Sequence, residues 1–461
     1  MHLVERKIKR KKDRSEIFIE LTRSICPVCR QIIDAEILVK GNDVFMHKFC
    51  PRHGWFNSLI FSNQEIYRSW LSYNKPGTMP LYFASEVKDG CPLDCGLCPD
   101  HKQHTCLGII EITSACNLHC PTCFADSGKE SFLTIQQIEK MLELLITCEG
   151  RVDVVQISGG EPTIHPQIIE ILTLAKDTGV KIVQLNTNGV RIAEDNVFLE
   201  KLSRIKPSIY LQFDGFTSSV YQLLRGQDLL KIKLKAVQKL TERGFNIVLA
   251  ATIAEGINEE QVGQIACFAI QNKHIRGVLF QPIAYTGRHS NPDPLLRTTL
   301  PDVIVHLEKQ TGGLLTRQDF FPLPCPFPTC FAVTYVHSRG HQVTTLPRLI
   351  NVEDYLDYFK NQIITDFSPL TKEALEGLWS ACATPGSDEV TNNFASCCGL
   401  TPGNLQELEN EITMVGIHAF MDPYNFDLKR ARKCCIHQIL PNGKMIPFCV
   451  YNNLMRGCQH G

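Results

Sequence analysis

Six strand-like segments that alternate with helices through the middle of the chain predict an α/β protein, and cysteines crowded at both ends place metal sites at its margins. Each strand-like segment is apolar enough to lie buried in a parallel sheet. Parallel strands need crossovers, and right-handed crossovers wind them one way. Six such units give either an open, partial barrel or a doubly wound sheet. In both, ligands collect at the carboxyl ends of the strands. Of the 21 cysteines, only Cys148 and Cys267 fall between Asp126 and Phe321. They read as buried small hydrophobes.

The units follow in order. "LGIIEIT" (Leu107–Thr113) is the first strand. The helix "TIQQIEKMLELLITC" comes next, with Thr134 as N-cap and Gln137 three residues on, a capping-box pattern. Its apolar residues Ile135, Ile138, Met141, Leu142 and Leu145 repeat at helical spacing. "VDVVQIS" precedes "PQIIEILTLAKDTG", a helix opened by Pro166 and closed by Gly179. "KIVQLN" leads to a helix at Asp195–Ile205, "SIYLQFD" to one at Asp228–Arg243 and "NIVLAAT" to one at Asn258–Asn272. "GVLFQPI" is the sixth strand.

At 461 residues the chain has room for two or three domains, or for one large barrel with additions. A hydrophobic fraction of 44% with 21% charged residues is that of a soluble globular protein. A net charge of -1 gives no global case for nucleic acid. No apolar run reaches the ~20 residues that span a bilayer, and the start does not resemble a signal peptide. A cytoplasmic location is expected. There thiols stay reduced, so metal sites explain the cysteines better than disulfides. The basic start, "MHLVERKIKRKKDR", reads as a solvated terminus. Its other reading is peripheral attraction to an anionic membrane, about 1 kcal/mol for each Lys or Arg.

The first strand runs into "SACNLHCPTCFADSG", where Cys116, Cys120 and Cys123 stand in a C-x3-C-x2-C spacing. Three thiolates can hold three irons of a [4Fe–4S] cluster and leave the fourth open to a ligand. A structural zinc, or a four-thiolate cluster completed by Cys106, satisfies the same spacing. The second strand ends in "SGGEP" (Ser158–Pro162). Two glycines let backbone approach a ligand closely, and Glu161 can accept from an ammonium group. Together the two motifs, on successive strand ends, resemble the radical S-adenosylmethionine (radical SAM) superfamily.

The resemblance implies a (βα)6 partial TIM barrel. It implies a cluster on Cys116, Cys120 and Cys123 whose open iron is chelated by S-adenosylmethionine, and reductive cleavage to a 5′-deoxyadenosyl radical. It also implies that Gly159, Gly160 and Glu161 face the methionyl amino group. Asn186 and Asn188 of "LNTNG" and Asp214 of "QFDG" are expected at ribose or substrate contacts. One feature departs from the superfamily. The place just before the last cysteine, where an aromatic residue is usual, holds Thr122, and Phe124 follows the cysteine instead.

The ends carry further ligand sets. "CPVC" (Cys26, Cys29) and "CPRHG" (Cys50, His53) have knuckle-like spacing for one tetrahedral zinc or iron, with His53 either the fourth ligand or a turn residue. "DGCPLDCGLCPDHKQHTC" offers Cys91, Cys95, Cys98 and Cys106, enough for a cluster of their own. Downstream, Cys325, Cys330, Cys434, Cys435 and Cys449 are candidates for a third cluster, with the adjacent Cys434 and Cys435 competing for one place. Cys382, Cys397, Cys398 and Cys458 are left over.

From Cys26 to Asn452 these stretches resemble the archaeal tetraether lipid synthase family and its bacterial relatives. That resemblance implies a radical cluster, one or two auxiliary [4Fe–4S] clusters and a rubredoxin-like iron. The implied reaction joins the methyl ends of two lipid chains through a carbon–carbon bond between sp3 carbons, under anaerobic conditions. The lipid would be drawn from the membrane surface, with a ferredoxin or flavodoxin as reductant and no nucleic acid. The rival reading is a radical SAM methylase of a pterin or other small substrate, and the non-enzymatic one an electron carrier. The expected domains are a metal-knuckle region at 1–90, a cysteine-rich segment at 91–107, the barrel at 108–315 and an auxiliary-cluster domain at 316–461.

Overall fold

A computed structural model describes residues 15–125, 127–128, 130–289, 293–339, 342–349, 351–355 and 411–456. The basic first fourteen residues and Cys382, Cys397, Cys398 and Cys458 lie outside the described residues.

The chain begins with a four-stranded antiparallel ribbon of β1 (Ile17–Ile25), β2 (Ile32–Lys40), β3 (Asp43–Cys50) and β4 (Gly54–Phe61). Its strands alternate as a half-buried sheet requires: Ile33, Ala35, Ile37 and Val39 of β2 point inward while the residues between them are more exposed. Helix α1 (Gln64–Leu71) follows, capped by the Asn63 side chain, which accepts from the backbone N–H groups of Glu65 and Ile66.

The six expected strands all form. They are β5 (Leu107–Thr113), β6 (Val154–Gly159), β7 (Ile182–Thr187), β8 (Ser208–Gln212), β9 (Ile247–Ile253) and β10 (Ile275–Pro282). Neighbours pair in chain order, every pair parallel. Between them run α2 (Ile135–Glu149), α3 (Ile168–Asp177), α4 (Val190–Glu194), α5 (Asn196–Ile205), α6 (Ser218–Arg225), α7 (Leu230–Glu242) and α8 (Val262–Ile270). The capping box at Thr134 and Gln137 is complete in both directions. Helix α3 begins at Ile168 rather than at Pro166. His165, the residue before that proline, is extended at φ -61° and ψ 128°, because proline disfavours helical backbone ahead of it.

Beyond the sixth unit lie α9 (Leu300–Gln310), β11 (Phe321–Pro322), β12 (Phe331–Arg339), β13 (Gln342–Thr345), β14 (Ile412–His418), α10 (Leu428–Arg432), β15 (Ile436–Ile439) and β16 (Met445–Pro447). These C-terminal strands join the barrel's own sheet. β14 adds in parallel to β10 at one end, and β15 adds in parallel to β5 at the other. Residues from β5 to β10, among them Ile109, Gln156, Gln184, Tyr210, Ala250 and Leu279, line one shared cavity. So do Cys330, just ahead of β12, and Cys434, just ahead of β15, so the two ends of the sheet curve toward each other. That geometry is a partial barrel, not a flat doubly wound sheet. Among the described residues no helix is long and apolar enough to cross a membrane.

Candidate active site and metal centres

The cysteine loop leaves the carboxyl end of β5 and meets the turn that leaves β6. Gly160 N–H donates to Thr113 O at 2.8 Å and Glu161 N–H to Ala115 O at 2.8 Å. The glycines are needed for this contact. A Cβ on Gly159 would stand 2.2 Å from Thr113 O, and one on Gly160 2.1 Å from Ala115 O. The close approach expected toward a ligand is therefore first an approach to the backbone that presents Cys116.

Glu161 is also a brace. Its buried carboxylate accepts from Thr163 N (3.1 Å), Thr163 Oγ1 (2.6 Å) and Thr187 Oγ1 (2.7 Å) on one oxygen, and from Asn188 N (2.7 Å) on the other. This ties the β6 turn to the β7 turn and leaves the second oxygen most of its accepting capacity. Asn188 completes the tie by donating from Nδ2 to Asn117 Oδ1 at 2.7 Å, inside the cysteine loop. Asn186 donates to Ser158 Oγ at 3.0 Å and lines the cavity.

Asp214 departs from expectation. Instead of facing ribose or substrate, it is fully buried against Arg225, which donates to it twice at 2.7 Å. A buried carboxylate needs a paired cation, and Arg225 supplies one. Arg225 also reaches Thr252 Oγ1 at 2.9 Å and hydrogen-bonds the Cys120 sulfur. Burial opposes its charge, but Asp214 outweighs burial and holds the guanidinium above its ordinary value. Beside it, Lys233 Nζ donates to Asn188 O at 2.5 Å and to Gln212 Oε1. Burial depresses that ammonium to about 7 against the pull of Asp214.

Each cysteine of the loop thus has a donor at hand, as thiolates holding a cluster require. Leu118 N–H reaches Cys116 Sγ at 3.4 Å, Arg225 reaches Cys120, and Ser127 and Arg288 reach Cys123. Burial raises the Cys116 thiol to about 11. At Cys123 burial is outweighed by the Ser127, Arg288 and Ala125 hydrogen bonds, and the thiol falls below its ordinary value. Phe124, one position on, stacks on Phe448 at 5.2 Å and forms part of the cavity wall with Thr122.

The cavity holds about 290 Å³. Amides project into it from successive strands. Gln156 donates to Gln184 Oε1 at 2.6 Å, and Gln281 to the Tyr210 hydroxyl at 2.6 Å. Leu279, Met414, Phe331 and Phe420 make an apolar side.

The remaining cysteines sort as expected in the ribbon and differently elsewhere. Cys26, Cys29, Cys50 and His53 converge within 4.8 Å. His53 Nδ1 lies 3.5 Å from both Cys26 Sγ and Cys50 Sγ, and Cys29 Sγ is 3.9 Å from Cys50 Sγ. Donors about 2.0–2.3 Å from one tetrahedral ion are separated by such distances, so His53 fits as the fourth ligand. Cys106 leaves the set of Cys91, Cys95 and Cys98. It is fixed to the start of β15 through Cys106 N–H to Cys435 O at 2.9 Å, and its Sγ lies 2.8 Å from Cys325 Sγ. Cys106, Cys325 and Cys435 form one buried group within 4.8 Å.

Cys434 and Cys435 do not compete. Cys435 joins Cys106 and Cys325, whereas Cys434 shares its surroundings with Cys330 and Cys449. Cys91 hydrogen-bonds Cys95, with Cys98 nearby.

Comparison with known proteins adds the following. The family "Radical SAM superfamily" matches residues 110–269, and the "HMPTM N-terminal zinc ribbon domain" matches residues 18–62. The chain is 35% identical over 475 aligned positions to 7,8-dihydro-6-hydroxymethylpterin dimethyltransferase of Methanocaldococcus jannaschii, covering 94% of each protein. It is 30% identical over 142 positions to GTP 3′,8-cyclase of Actinobacillus pleuropneumoniae, covering 30% of this chain and 41% of that protein. Among solved structures, SuiB of Streptococcus suis is 21% identical with a TM-score of 0.38, covering 45% of this chain and 46% of that one.

Proposed function

The chain belongs to the radical SAM superfamily, in the family of the Methanocaldococcus jannaschii pterin dimethyltransferase, and from that premise we propose that it methylates a reduced pterin. It is a radical SAM enzyme, with a [4Fe–4S] cluster and S-adenosylmethionine as cofactors and with further cysteine groups suited to auxiliary clusters or zinc. Reductive cleavage of bound S-adenosylmethionine is the chemistry those cofactors supply.

The observation that carries the substrate reading is a set of amide and hydroxyl groups that several strands project into an otherwise largely apolar cavity. Gln156 spends its Nε2 donor on the Gln184 Oε1 acceptor, and Gln281 spends its Nε2 donor on the Tyr210 hydroxyl oxygen. That leaves donors and acceptors on adjacent strands for a flat ligand whose edge alternates the same groups, as a pterin's does. An alkyl chain in the same place would strand them, at about 1–3 kcal/mol for each unpaired group. The coupling of lipid tails implied by the sequence resemblance accordingly gives way to carbon transfer. The relative that covers 94% of the chain is itself named for a pterin.

The residues on the page act by placement. Arg225 and Lys233 set the charge beside the cysteine loop, the Glu161 brace fixes the two turns, and Phe124, Phe420 and Phe448 exclude water from one wall. The test is anaerobic turnover of the reconstituted enzyme with S-adenosylmethionine, a low-potential reductant, a one-carbon donor (a second S-adenosylmethionine or a methylene-bearing reduced pterin) and a reduced 6-hydroxymethylpterin, and, separately, with archaeal-type diether lipid in place of the pterin. A pterin heavier by one or two methylene units supports the reading. A lipid with two tails joined and two hydrogens lost refutes it. In the Gln156→Leu variant, pterin product should fall at least ~10-fold, as ~1.4 kcal/mol of lost binding implies, while 5′-deoxyadenosine still forms.

A further inference from the structure

The C-terminal segment clasps the far end of the cysteine loop twice. Phe448 stacks on Phe124, the residue after Cys123, with ring centroids 5.2 Å apart. Further along the segment, Arg456 Nη1 donates to Ala125 O at 3.1 Å. Ala125 in turn hydrogen-bonds Cys123 through its own N–H. Cys449, the sequence neighbour of Phe448, shares its surroundings with Cys330 and Cys434, so one short stretch joins that group to the loop.

Arg456 is itself anchored. It forms a two-pronged pair with Glu111, Nη2 to Oε1 at 2.5 Å and Nη1 to Oε2 at 3.0 Å, and its Nε donates to Asn452 Oδ1 at 2.6 Å. Both side chains are mostly buried, and the guanidinium carbon lies 4.8 Å from the centre of the Tyr451 ring. A planar guanidinium paired this way on a carboxylate is fixed in direction as well as charged. Glu111 is otherwise hard to explain. It interrupts the apolar strand β5 on the face of Leu107 and Ile109, which line the cavity. Without Arg456 it would leave a bare negative charge beside a loop that must hold thiolates. Burial opposes the charge of Arg456, but Glu111 outweighs burial and Cys123 adds to it, so the guanidinium stays above its ordinary value.

We propose that Arg456 is a positioning residue for the cluster on Cys116, Cys120 and Cys123. Anchored on Glu111, it holds Ala125 in place beside Cys123 and sets a positive charge near that thiolate. Hydrogen bonds to the sulfurs and net charge around them set a cluster's reduction potential. Arg456 then makes the loop cluster easier to reduce, as cleavage of S-adenosylmethionine requires, and Glu111 moderates the effect. This rests on membership of the radical SAM superfamily and is independent of which substrate occupies the cavity.

The test is a dye-mediated redox titration of the full-length protein, read by electron paramagnetic resonance. Each form is measured with and without Cys116→Ala, Cys120→Ala and Cys123→Ala, and the difference isolates the loop cluster from every other metal site. At a fixed potential, Arg456→Gln should lower the ratio of reduced to oxidised loop cluster at least ~10-fold, a shift of about 59 mV for one electron. Glu111→Gln should raise that ratio, since it removes negative charge and keeps an acceptor for Arg456. A merely structural pair would move both variants the same way. Arg456→Lys keeps the charge and should stay close to the parent ratio. Iron lost from the loop in Arg456→Gln and regained in Arg456→Lys also supports the clasp. An unchanged ratio in Arg456→Gln, shifts of the same sign in Arg456→Gln and Glu111→Gln, or iron lost equally from Arg456→Gln and Arg456→Lys would each overturn it.

Discussion

Arg225 ends α6 and touches both an acid and a cluster cysteine, and the two contacts predict different losses. Removing one partner of a buried pair typically costs about 3–5 kcal/mol, because the other charge is left uncompensated. Arg225→Gln should lower stability by about that amount, measured by urea unfolding of the cluster-free protein. Adding Asp214→Asn removes the stranded carboxylate and should restore a large part of it. The reduction potential of the Cys116–Cys120–Cys123 cluster should behave otherwise. It falls when the donor to Cys120 and its positive charge are lost, and the second substitution should not bring it back. Equal recovery of both quantities would make Arg225 a structural residue only. A signal for this network is present in the sequence at its neighbour: Lys233 shares the buried stripe of α7 with Ala236, Val237 and Leu240. A lysine on an apolar face asks for a partner. Arg225 itself looks like any basic residue in a last helical turn, and its importance comes from a fold-level approach to Cys120.

At the scale of elements, the β6 turn and the cysteine loop are one device. Gly160→Ala puts a methyl group against Ala115 O, a backbone atom that cannot swing aside, so the loop carrying Cys116 must shift. The expected result is loss of about four irons per chain and of 5′-deoxyadenosine formation, read by iron analysis and product chromatography. Gly179→Ala is the control. Gly179 has a φ of 79°, but nothing lies within 4 Å of its added Cβ, so the variant carries the backbone cost without the clash. Full iron in Gly160→Ala would mean that the loop tolerates the displacement. The six strands and the Thr134 cap were legible because each rests on local chemistry, an apolar run or a capping pair. The removal of Cys106 to Cys325 was not, because it follows from pairing between residues 219 positions apart.

Across the whole molecule, the N-terminal ribbon grips the segment that leads to the auxiliary cysteines. Lys48 Nζ, almost wholly buried, donates to Pro423 O at 2.7 Å, and Ser24 Oγ to Phe426 O at 2.6 Å. Thr22 reaches Asp427 Oδ1 at 2.6 Å, and Lys429 pairs with Glu20 at 2.7 Å. The gripped segment holds Phe420 in the cavity wall and places Met421 N–H 3.4 Å from Cys449 Sγ. None of this was legible, because the contacts of Lys48 and Ser24 are to backbone carbonyls, which no side-chain pattern announces, and the Thr22–Asp427 and Lys429–Glu20 pairs join residues 405 and 409 positions apart. At the cysteine end of the ribbon, the packing is little more than Cys26, Ile33 and Cys50 with Cys29 and Phe56 against them, whereas Ala35, Ile37, Val39, Val44, Met46 and Phe61 join the main core. That cysteine end would depend on a bound ion for its order. Cys29→Ser should therefore do more than empty the ribbon. The grip on 420–429 loosens, so hydrogen exchange at Tyr424 and Asp427, whose N–H groups are held by Asp422 and Met421, should rise. The Cys116–Cys123 loop has its own braces in the hydrogen bonds of Glu161 and Asn188. Cleavage of S-adenosylmethionine without substrate should therefore persist while methylated product falls. Unchanged exchange at those amides, with product intact, would make the ribbon an appendage and not a clamp.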